Sequence, residues 1–470
     1  MKDNTFPTIL QHLFQLLEAQ RGIFRQERTY LRALGLLIGE LFVFARHTVT
    51  QELLALGLSE GDWSPWYRLF SRKRFDPEQA SGHVFIQTLA HVAVEQPYVI
   101  GVDGVQVPRS SQKMAGTSWL KAPRTPKFKA GIHRAQRFLN LSWLTPLEEG
   151  FSRAIPLRWL PAFPEKAVLP AGLSPCKEWE AGLEAIRWVR SQLDAAGRQG
   201  QWLLALADGN FEKVVDFWKG LPERTVVLGR SARNRVLYHL PEYCGVGRPP
   251  DYGKRARKPA EWLKERRGWT TLRVPVRGHG QEMRCRVEGP FLRDGLPDRP
   301  VFLIVVRGID RQLKGRRVRR DPSFYLVSAV QQQGNWLLPL PVEILLTWAW
   351  QRWELEVEHR ELKSGFGLGE KQCWNPHSAV ISVQWTTWVY AVLLLAGYRT
   401  WGLLGGPPGP GRWWRGSRRW SFNTLWRAYR AAFWKNADFR AVWTATGDNW
   451  LKKGDWMAGL WNSVAGAARV

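Results

Sequence analysis

Two stretches decide the fold: Tyr98-Val99-Ile100-Gly101-Val102-Asp103-Gly104 and Trp202-Leu203-Leu204-Ala205-Leu206-Ala207-Asp208-Gly209. Each is a short apolar run that stops at an aspartate followed by glycine. An uninterrupted apolar run of this length reads as a strand buried on both faces, and the chain leaves the sheet where the Asp-Gly pair stands. In α/β sheets, side chains at strand ends are the ones that can meet a ligand. Asp-Gly is also a strong hairpin dipeptide, so each aspartate taken singly reads equally well as a turn former.

Working outward, strand-like stretches lie around Phe128 to Ile132 and Phe138 to Leu144, after a basic segment. A helix is expected from about Lys177 to Leu193, with Leu183, Ile186, Val189 and Leu193 along one side. After Asp208, Asn210 to Lys219 reads as helical and Thr225-Val226-Val227-Leu228 as a further strand. The order strand, strand, strand, helix, strand, helix, strand resembles the ribonuclease H-like fold, a mixed sheet flanked by helices with acidic residues at strand ends. The expected fold class is therefore α/β, with residues 96–230 as the first part of a ribonuclease H-like catalytic domain.

The first 95 residues read as helical, with Leu34, Leu37, Ile38, Leu41 and Phe42 at helical spacing. Within them, Thr48 to Leu58 followed by Trp63 to Arg72 reads as helix, glycine turn, helix. That pair is a candidate DNA-docking element with Arg68, Arg72, Lys73 and Arg74 available for phosphates, although spacing alone fits a plain helical hairpin as well. Residues 231–340 read as a β-rich basic insertion with strands at Trp269–Val276, Glu282–Val287, Val301–Val306 and Phe324–Val330. Its basic runs, Lys254-Arg255-Ala256-Arg257-Lys258 and Arg316-Arg317-Val318-Arg319-Arg320, suit a DNA-contacting surface, with merely solvated loops as the bland reading. Residues 341–400 are expected to complete the catalytic domain with long helices at Val342–Lys363 and Val380–Arg399. The Gly- and Pro-rich run Gly402–Gly411 reads as a linker. It leads to a Trp-rich helical region, 401–470, where Phe422, Leu425, Trp426, Tyr429 and Phe433 fall on one helical face suited to a core.

Composition narrows the partners. The 470 residues are 44% hydrophobic and 23% charged, as in a folded chain, and 68 Lys plus Arg against 41 Asp plus Glu leave a formal charge of +27. Such a field favours polyanions, because each neutralised phosphate releases condensed counterions. Membrane is the weaker alternative: the most apolar stretch, Trp388 to Tyr398, is short of the roughly 20 residues a span requires. The amino terminus, Met1-Lys2-Asp3-Asn4, lacks the features of a secretory signal, so a cytoplasmic, nucleoid-associated location is expected. Cys176, Cys244, Cys285 and Cys373 stand singly, which argues against a zinc site or a disulfide framework. Of 28 tryptophans, ten lie between Trp401 and Trp461; tryptophan can stack on unpaired bases, but most are expected to fill cores.

A third acidic residue is expected from Trp350-Gln351-Arg352-Trp353-Glu354-Leu355-Glu356-Val357-Glu358-His359-Arg360-Glu361-Leu362-Lys363. At 100° per residue from Arg352, Glu356 falls at about 40°, His359 at about −20° and Lys363 at about 20°. Glu354, Glu358 and Glu361 fall near 200°, 240° and 180°, on the opposite side. A mixed charged surface helix would leave all of these solvated. Glu356 bracketed by Arg352 and Lys363 instead suits a metal ligand flanked by cations that hold phosphates. Phosphodiester cleavage without a covalent intermediate needs an activated water and a stabilised leaving oxygen. Two divalent ions held by carboxylates supply both.

Arg352, Glu356 and Lys363 have the spacing of the Arg-Glu-Lys part of the Tyr-Arg-Glu-Lys signature, and in this the chain resembles the DDE transposases of bacterial insertion sequences. Arg46-His47-Thr48-Val49-Thr50 through Tyr67-Arg68-Leu69-Phe70-Ser71-Arg72 is similar to the opening region of one branch of that group. The resemblance covers about residues 45–375. It departs at Ala349, where the signature tyrosine would fall. It implies that Asp103, Asp208 and Glu356 bind two Mg²⁺ ions, with Mn²⁺ able to substitute. It further implies that water frees a 3′ hydroxyl at the element end, and that this hydroxyl attacks target DNA. The implied partners are double-stranded DNA, the element's terminal inverted repeats, target DNA and a second copy of the chain. Some relatives form a DNA hairpin with a flipped base held by an insertion-domain tryptophan, for which Trp262, Trp269 and Trp336 are the local candidates. Two other readings remain open: a transposase-derived DNA-binding protein without catalysis, and a ribonuclease H-like nuclease that cuts without joining.

Overall fold

Apolar residues recurring every three or four positions make the amino-terminal region helical. The computed structural model describes residues 7–122, 131–243, 245, 247–276, 278–313, 316–407 and 419–435, with the backbone alone for 310–313, 316–318 and 434–435. Five helices come first: α1 (Thr8–Glu18), α2 (Glu27–Phe42), α3 (Val49–Ala55), α4 (Ser64–Ser71) and α5 (Pro77–Leu89). Thr48 caps α3 by accepting from the Gln51 amide, and Asp76 caps α5 by accepting from Glu78 and Gln79.

Strands then alternate with helices: β1 (Tyr98–Pro108), β2 (Thr117–Lys121), β3 (Ile132–Leu144), β4 (Ala154–Pro161), α6 (Glu178–Ala195), β5 (Leu203–Ala207), α7 (Gly209–Glu212), α8 (Val215–Lys219) and β6 (Thr225–Arg230). β1 runs antiparallel to β3 with Asp103 opposite Asn140, and parallel to β5 with Gly101 opposite Leu206. β5 and β6 are also parallel, whereas β3 pairs β4 antiparallel. The resulting spatial order is β4-β3-β1-β5-β6. The expected helix over 210–219 is two short helices, interrupted at Val214.

The following segment supplies β7 (Tyr238–His239), β8 (Thr270–Val276), β9 (His279–Arg293), β10 (Leu296–Val306), β11 (Ile309–Leu313), β12 (Arg316–Arg320), β13 (Ser323–Ser328), β14 (Val330–Gln332) and β15 (Asn335–Leu337). These strands do not stand apart. β13 pairs antiparallel with β6 and with β10, and β10 pairs with β9, so one eleven-stranded sheet runs through both regions. β11 with β12 and β14 with β15 form separate ribbons.

The last helices are α9 (Val342–Gln351), α10 (Trp353–Ser364), α11 (Pro376–Trp401) and α12 (Phe422–Lys435). The expected single helix over 342–363 is broken at Arg352, which ends α9 and begins α10. Alternation along the strands makes two apolar faces. Ile100, Val102, Leu203, Ala205 and Val227 join the core under α6 and α11, while Val99, Leu204, Leu206, Val226 and Leu228 pack with Leu345, Leu346 and Trp348 of α9. α11 is long and apolar enough to cross a membrane, but 94% of its most apolar stretch is enclosed by protein. It is the core helix that its sequence suggests. Phe422, Leu425, Tyr429 and Phe433 of α12 are buried, as their spacing predicts. Cys244, residues 408–411 of the expected linker, and most of the carboxy-terminal tryptophans lie outside the described residues.

A buried charge cluster fastens the amino-terminal helices to the segment after α10. The Lys371 ammonium pairs with Glu40 of α2 and lies 2.7 Å from Glu52 of α3, while His47 Nδ1 is 2.7 Å from the other Glu40 oxygen. Burial and the neighbouring Glu40 carboxylate push Glu52 up to about 8, against the pull of Lys371.

Candidate active site

Asp103 lies in the middle of β1, where the strand's partner changes. Up to Gly101, β1 is flanked by β5; beyond it only β3 continues alongside. Asp208 follows the last residue of β5 and caps α7, its Oδ1 accepting from the Asn210 amide at 2.7 Å and the Phe211 amide at 3.4 Å. Both Asp-Gly pairs therefore lie at the same end of the parallel strands. Asp208 is a helix cap and Asp103 is a strand residue, so neither makes the hairpin turn that its dipeptide alone allows.

Glu356 reaches this end because α10 is pressed onto β1. Gly101 has no side chain where Leu355 crosses it, and a Cβ there would stand 2.7 Å from Leu355 Cδ1. Arg352, at the break between α9 and α10, connects the two elements: Nη1 is 3.4 Å from Asp103 Oδ2 and Nη2 is 3.2 Å from Glu356 Oε1. Burial pushes Asp103 up to about 7 against the opposing pull of Arg352, and the nearby Asp208 and Glu178 carboxylates add to the rise.

The other three glutamates of α10 are not solvated. Glu358 accepts from Asn140 Nδ2 at 2.9 Å and from Ser142 Oγ at 2.6 Å. Glu361 pairs with Arg153 and accepts from the Tyr390 hydroxyl at 2.6 Å, and Glu354 pairs with Arg419 at 2.8 Å. Two buried carboxylates and one half-buried one thus fix the rotation of α10 and turn Glu356 toward β1. His359, on the side of Glu356, is held neutral: burial, then Lys363 and Arg352, bring it down to about 3.

Sequence reasoning missed Glu178. It opens α6, and its carboxylate lies against Gly104, where a Cβ would stand 2.2 Å from its Cδ. Burial raises its pKa against the pull of Arg137, and Asp208 raises it further. An acidic residue in the first turn of an expected helix, together with glycine after Asp103, was the available signal.

A model of the DDE superfamily endonuclease family matches residues 12–286, more than half of the chain. The chain belongs to that family. No curated protein matches it. Membership makes it a nuclease of the DDE type, acting on DNA, and endonucleases of this superfamily generally use divalent metal ions. The matched span contains Asp103, Glu178 and Asp208 and ends before α9.

Among the described residues, no three His, Cys, Asp or Glu side chains are gathered tightly enough to enclose an ion. The donor set nevertheless fits one. Hard carboxylate oxygens stand on β1, at the β5 end and on α10; Arg352 bonds those of Asp103 and Glu356, and Asp208 raises the proton affinity of Asp103, a repulsion that a divalent cation relieves.

The remaining predicted residues are spread over the surface of this endonuclease. Arg68, Arg72, Lys254, Arg255, Arg257 and Lys258 are exposed, with Arg257 paired to Glu265. Arg316 and Arg317 lie in β12, their side chains outside the description. Trp262 lies under two guanidiniums, Arg286 at 4.5 Å and Arg257 at 5.3 Å, and Trp269 under Arg307 at 4.3 Å. Trp336 is half-buried in β15. Ala349 faces a cavity of about 220 Å³ lined also by Arg230, Tyr325, Trp350, Arg352 and Trp353. A cavity of about 720 Å³ between α5, β4 and α11 is lined by none of these four acidic residues.

Proposed function

We propose that the chain is the transposase of an insertion sequence, of the group with the Tyr-Arg-Glu-Lys signature. It cuts the element's ends and joins the 3′ hydroxyl to target DNA. The observation that carries this reading is Arg352, which sets the carboxylate of Glu356 beside that of Asp103 at the end of the sheet where Asp208 leaves β5. The strand order β4-β3-β1-β5-β6, antiparallel then parallel, supports a ribonuclease H-like catalytic domain.

Asp103, Asp208 and Glu356 are the residues that would hold two Mg²⁺ ions, or Mn²⁺ in their place; such ions supply an activated water and charge neutralisation at the leaving oxygen. Arg352 holds Asp103 and Glu356 in register before ions and DNA arrive. Lys363, on the same side of α10, and the Arg68 and Arg72 side chains position phosphates, as do the basic runs from Lys254 and Arg316. At Ala349, the place of the signature tyrosine, Arg230 and Tyr325 line the space that a phosphate contact would use. The reading includes a dimer assembled on terminal inverted repeats, working in the cytoplasm on the nucleoid.

Incubation of the purified chain with Mg²⁺ and DNA carrying the element's inverted repeats tests it. Cut ends and strand-transfer products are expected. Asp208→Asn, which keeps an oxygen to cap α7, should abolish both while DNA binding persists. Cleavage that survives in Asp208→Asn removes the assignment, and cut ends that are never joined reduce the chain to a nuclease.

A further inference from the structure

Trp374, in the segment between α10 and α11, is the most exposed large apolar side chain among the described residues, with 75% of its surface open to solvent. A tryptophan that serves packing is enclosed, as Trp385 and Trp388 of α11 are. The Trp374 ring does not stand alone. Tyr67 of α4, 42% exposed, lines the same cavity of about 440 Å³, and Thr50, Ser71, Gln372 and Asn375 put polar groups around it. That volume falls within the roughly 300–1,000 Å³ of small-molecule sites.

Both rings are presented by fixed backbone. On one side of Trp374 the Lys371 ammonium lies 2.7 Å from the buried Glu52 of α3, and on the other Asn375 caps α11 by accepting from the Ser378 amide at 3.1 Å. The ring therefore stands out from a short span pinned at both ends. The Tyr67 hydroxyl is 2.6 Å from Thr50 Oγ1, and Phe70 of α4 meets Trp385 of α11 edge-on at 5.8 Å. The segment before Trp374 is also tied to the strand that carries Asp103: Arg109 Nη1 donates to the Gly369 carbonyl at 2.6 Å, and a Cβ on Gly369 would stand 2.8 Å from Val107 Cγ1 of β1. Charge completes the setting, because Arg68, Arg72 and Lys73, which follow Tyr67 along the chain, are all exposed.

We infer that this cavity binds an unpaired base of the DNA substrate, with Trp374 as the stacking platform, Tyr67 as a second aromatic wall, and Arg68, Arg72 and Lys73 on the adjoining phosphates. Every base has a face on which an aromatic ring can stack, so the site tolerates any sequence. A base inside a duplex has both faces covered and gains nothing from Trp374. DNA that has been cut offers uncovered bases at its ends. A lone exposed aromatic carries no meaning; here two rings, a cavity and three cations coincide on a chain of formal charge +27. The site stands on different elements from Trp262, Trp269 and Trp336. It requires only that the chain acts on DNA, and is independent of the metal ligands.

Fluorescence anisotropy of the full-length protein with two labelled probes tests it: a single-stranded thymidine oligonucleotide of about ten residues, and a fully paired, blunt-ended duplex. Trp374→Ala should weaken binding of the oligonucleotide by about 5- to 140-fold, the contribution of one stacked base, and change duplex affinity by less than about twofold. Trp374→Phe, which keeps an aromatic face, should recover most of the loss. Because the ring is exposed, the thermal midpoint of Trp374→Ala should match that of the parent, so that lost binding is not lost folding. Trp374→Ala that binds the oligonucleotide like the parent overturns the inference. An equal loss on both probes does so too, since Trp374 would then be a general DNA contact, as does a parent that fails to bind the oligonucleotide. Metal-dependent cleavage is judged separately by Asp208→Asn, whichever way these results fall.

Discussion

Gly101 and Leu355 meet where α10 crosses β1, and their approach sets the distance between Asp103 and Glu356. Gly101→Ala puts a methyl group 2.7 Å from Leu355 Cδ1, so either the side chain shifts or α10 lifts. Overpacking of this kind costs about 1–3 kcal/mol. A fall in the thermal midpoint of that order is expected, with DNA cleavage lost more steeply than DNA binding. Cleavage equal to that of the parent would show that the helix does not set the site.

Arg352 bonds both Asp103 and Glu356; the pair with Asp103 is largely sheltered from solvent, and Glu356 is more open, with 38% of its side chain exposed. Arg352→Ala leaves two carboxylates facing each other without it. A loss of about 1.5–3 kcal/mol in metal-free stability is expected, partly recovered on adding Mg²⁺. Arg352→Lys should not restore cleavage, because one ammonium cannot span two carboxylates as a planar guanidinium does. Urea unfolding with and without Mg²⁺ measures the first effect, and a cleavage assay the second.

The Glu52 carboxyl, buried against Glu40 and Lys371, carries a pH signature. Its pKa is raised to about 8 in the folded chain, against about 4.3 when unfolded. The folded state therefore holds an extra proton between these values. The associated stability is complete below about pH 4.3 and is lost as pH rises through about 8. Comparing urea midpoints of the parent and Glu52→Gln from pH 5 to pH 9 should show the parent losing stability relative to the variant. Parallel curves would remove the shift from Glu52.

Arg68 sits on the exposed face of α4, opposite the buried Trp66, Leu69 and Phe70, and the exposed Arg72 follows directly where the helix ends. If they hold phosphates, Arg68→Ala with Arg72→Ala reduces the slope of log affinity against log salt by roughly 0.9 for each contact removed. Sequence preference should change little, since phosphate contacts position DNA without reading it. Fluorescence anisotropy across a salt series gives the slope, and an unchanged slope excludes this face from the DNA interface.

One strand end was legible in the sequence because an apolar run stopping at Asp-Gly is a local signal: Asp208 follows the last residue of β5, but β1 runs past Asp103 to Pro108, because β3 continues to pair it where β5 has stopped. Glu356 was separable from its three rivals by helical angle alone, and the structure adds the reason, since Glu354, Glu358 and Glu361 are each engaged by a partner far away in the chain. Those partners, Arg419, Ser142 and Arg153, are long-range, and no local pattern marks them. The break at Arg352 was hidden because its backbone stays near helical geometry, with φ −54° and ψ −27°. Glu178 escaped notice because its position depends on a close approach at Gly104 that only the packed fold creates. The β-rich segment was visible as strands, but its pairing onto β6 was not, because sheet neighbours are chosen by edges rather than by composition.

That pairing makes the molecule a ruler. From β5, which ends at Asp208, the sheet passes through β6, β13 and β10 to β9 without interruption. Four strand spacings of about 4.8 Å separate the first from the last, roughly 19 Å, a little more than half a turn of B-form DNA at about 34 Å. Duplex lying along the sheet end would offer the far strands the opposite side of its helix from the one cut near Asp208. Because hydrogen-bonded strands rather than a hinge join the two places, the interval between the Asp208 end of β5 and any contact that β9 makes with DNA would be a fixed length built into the fold.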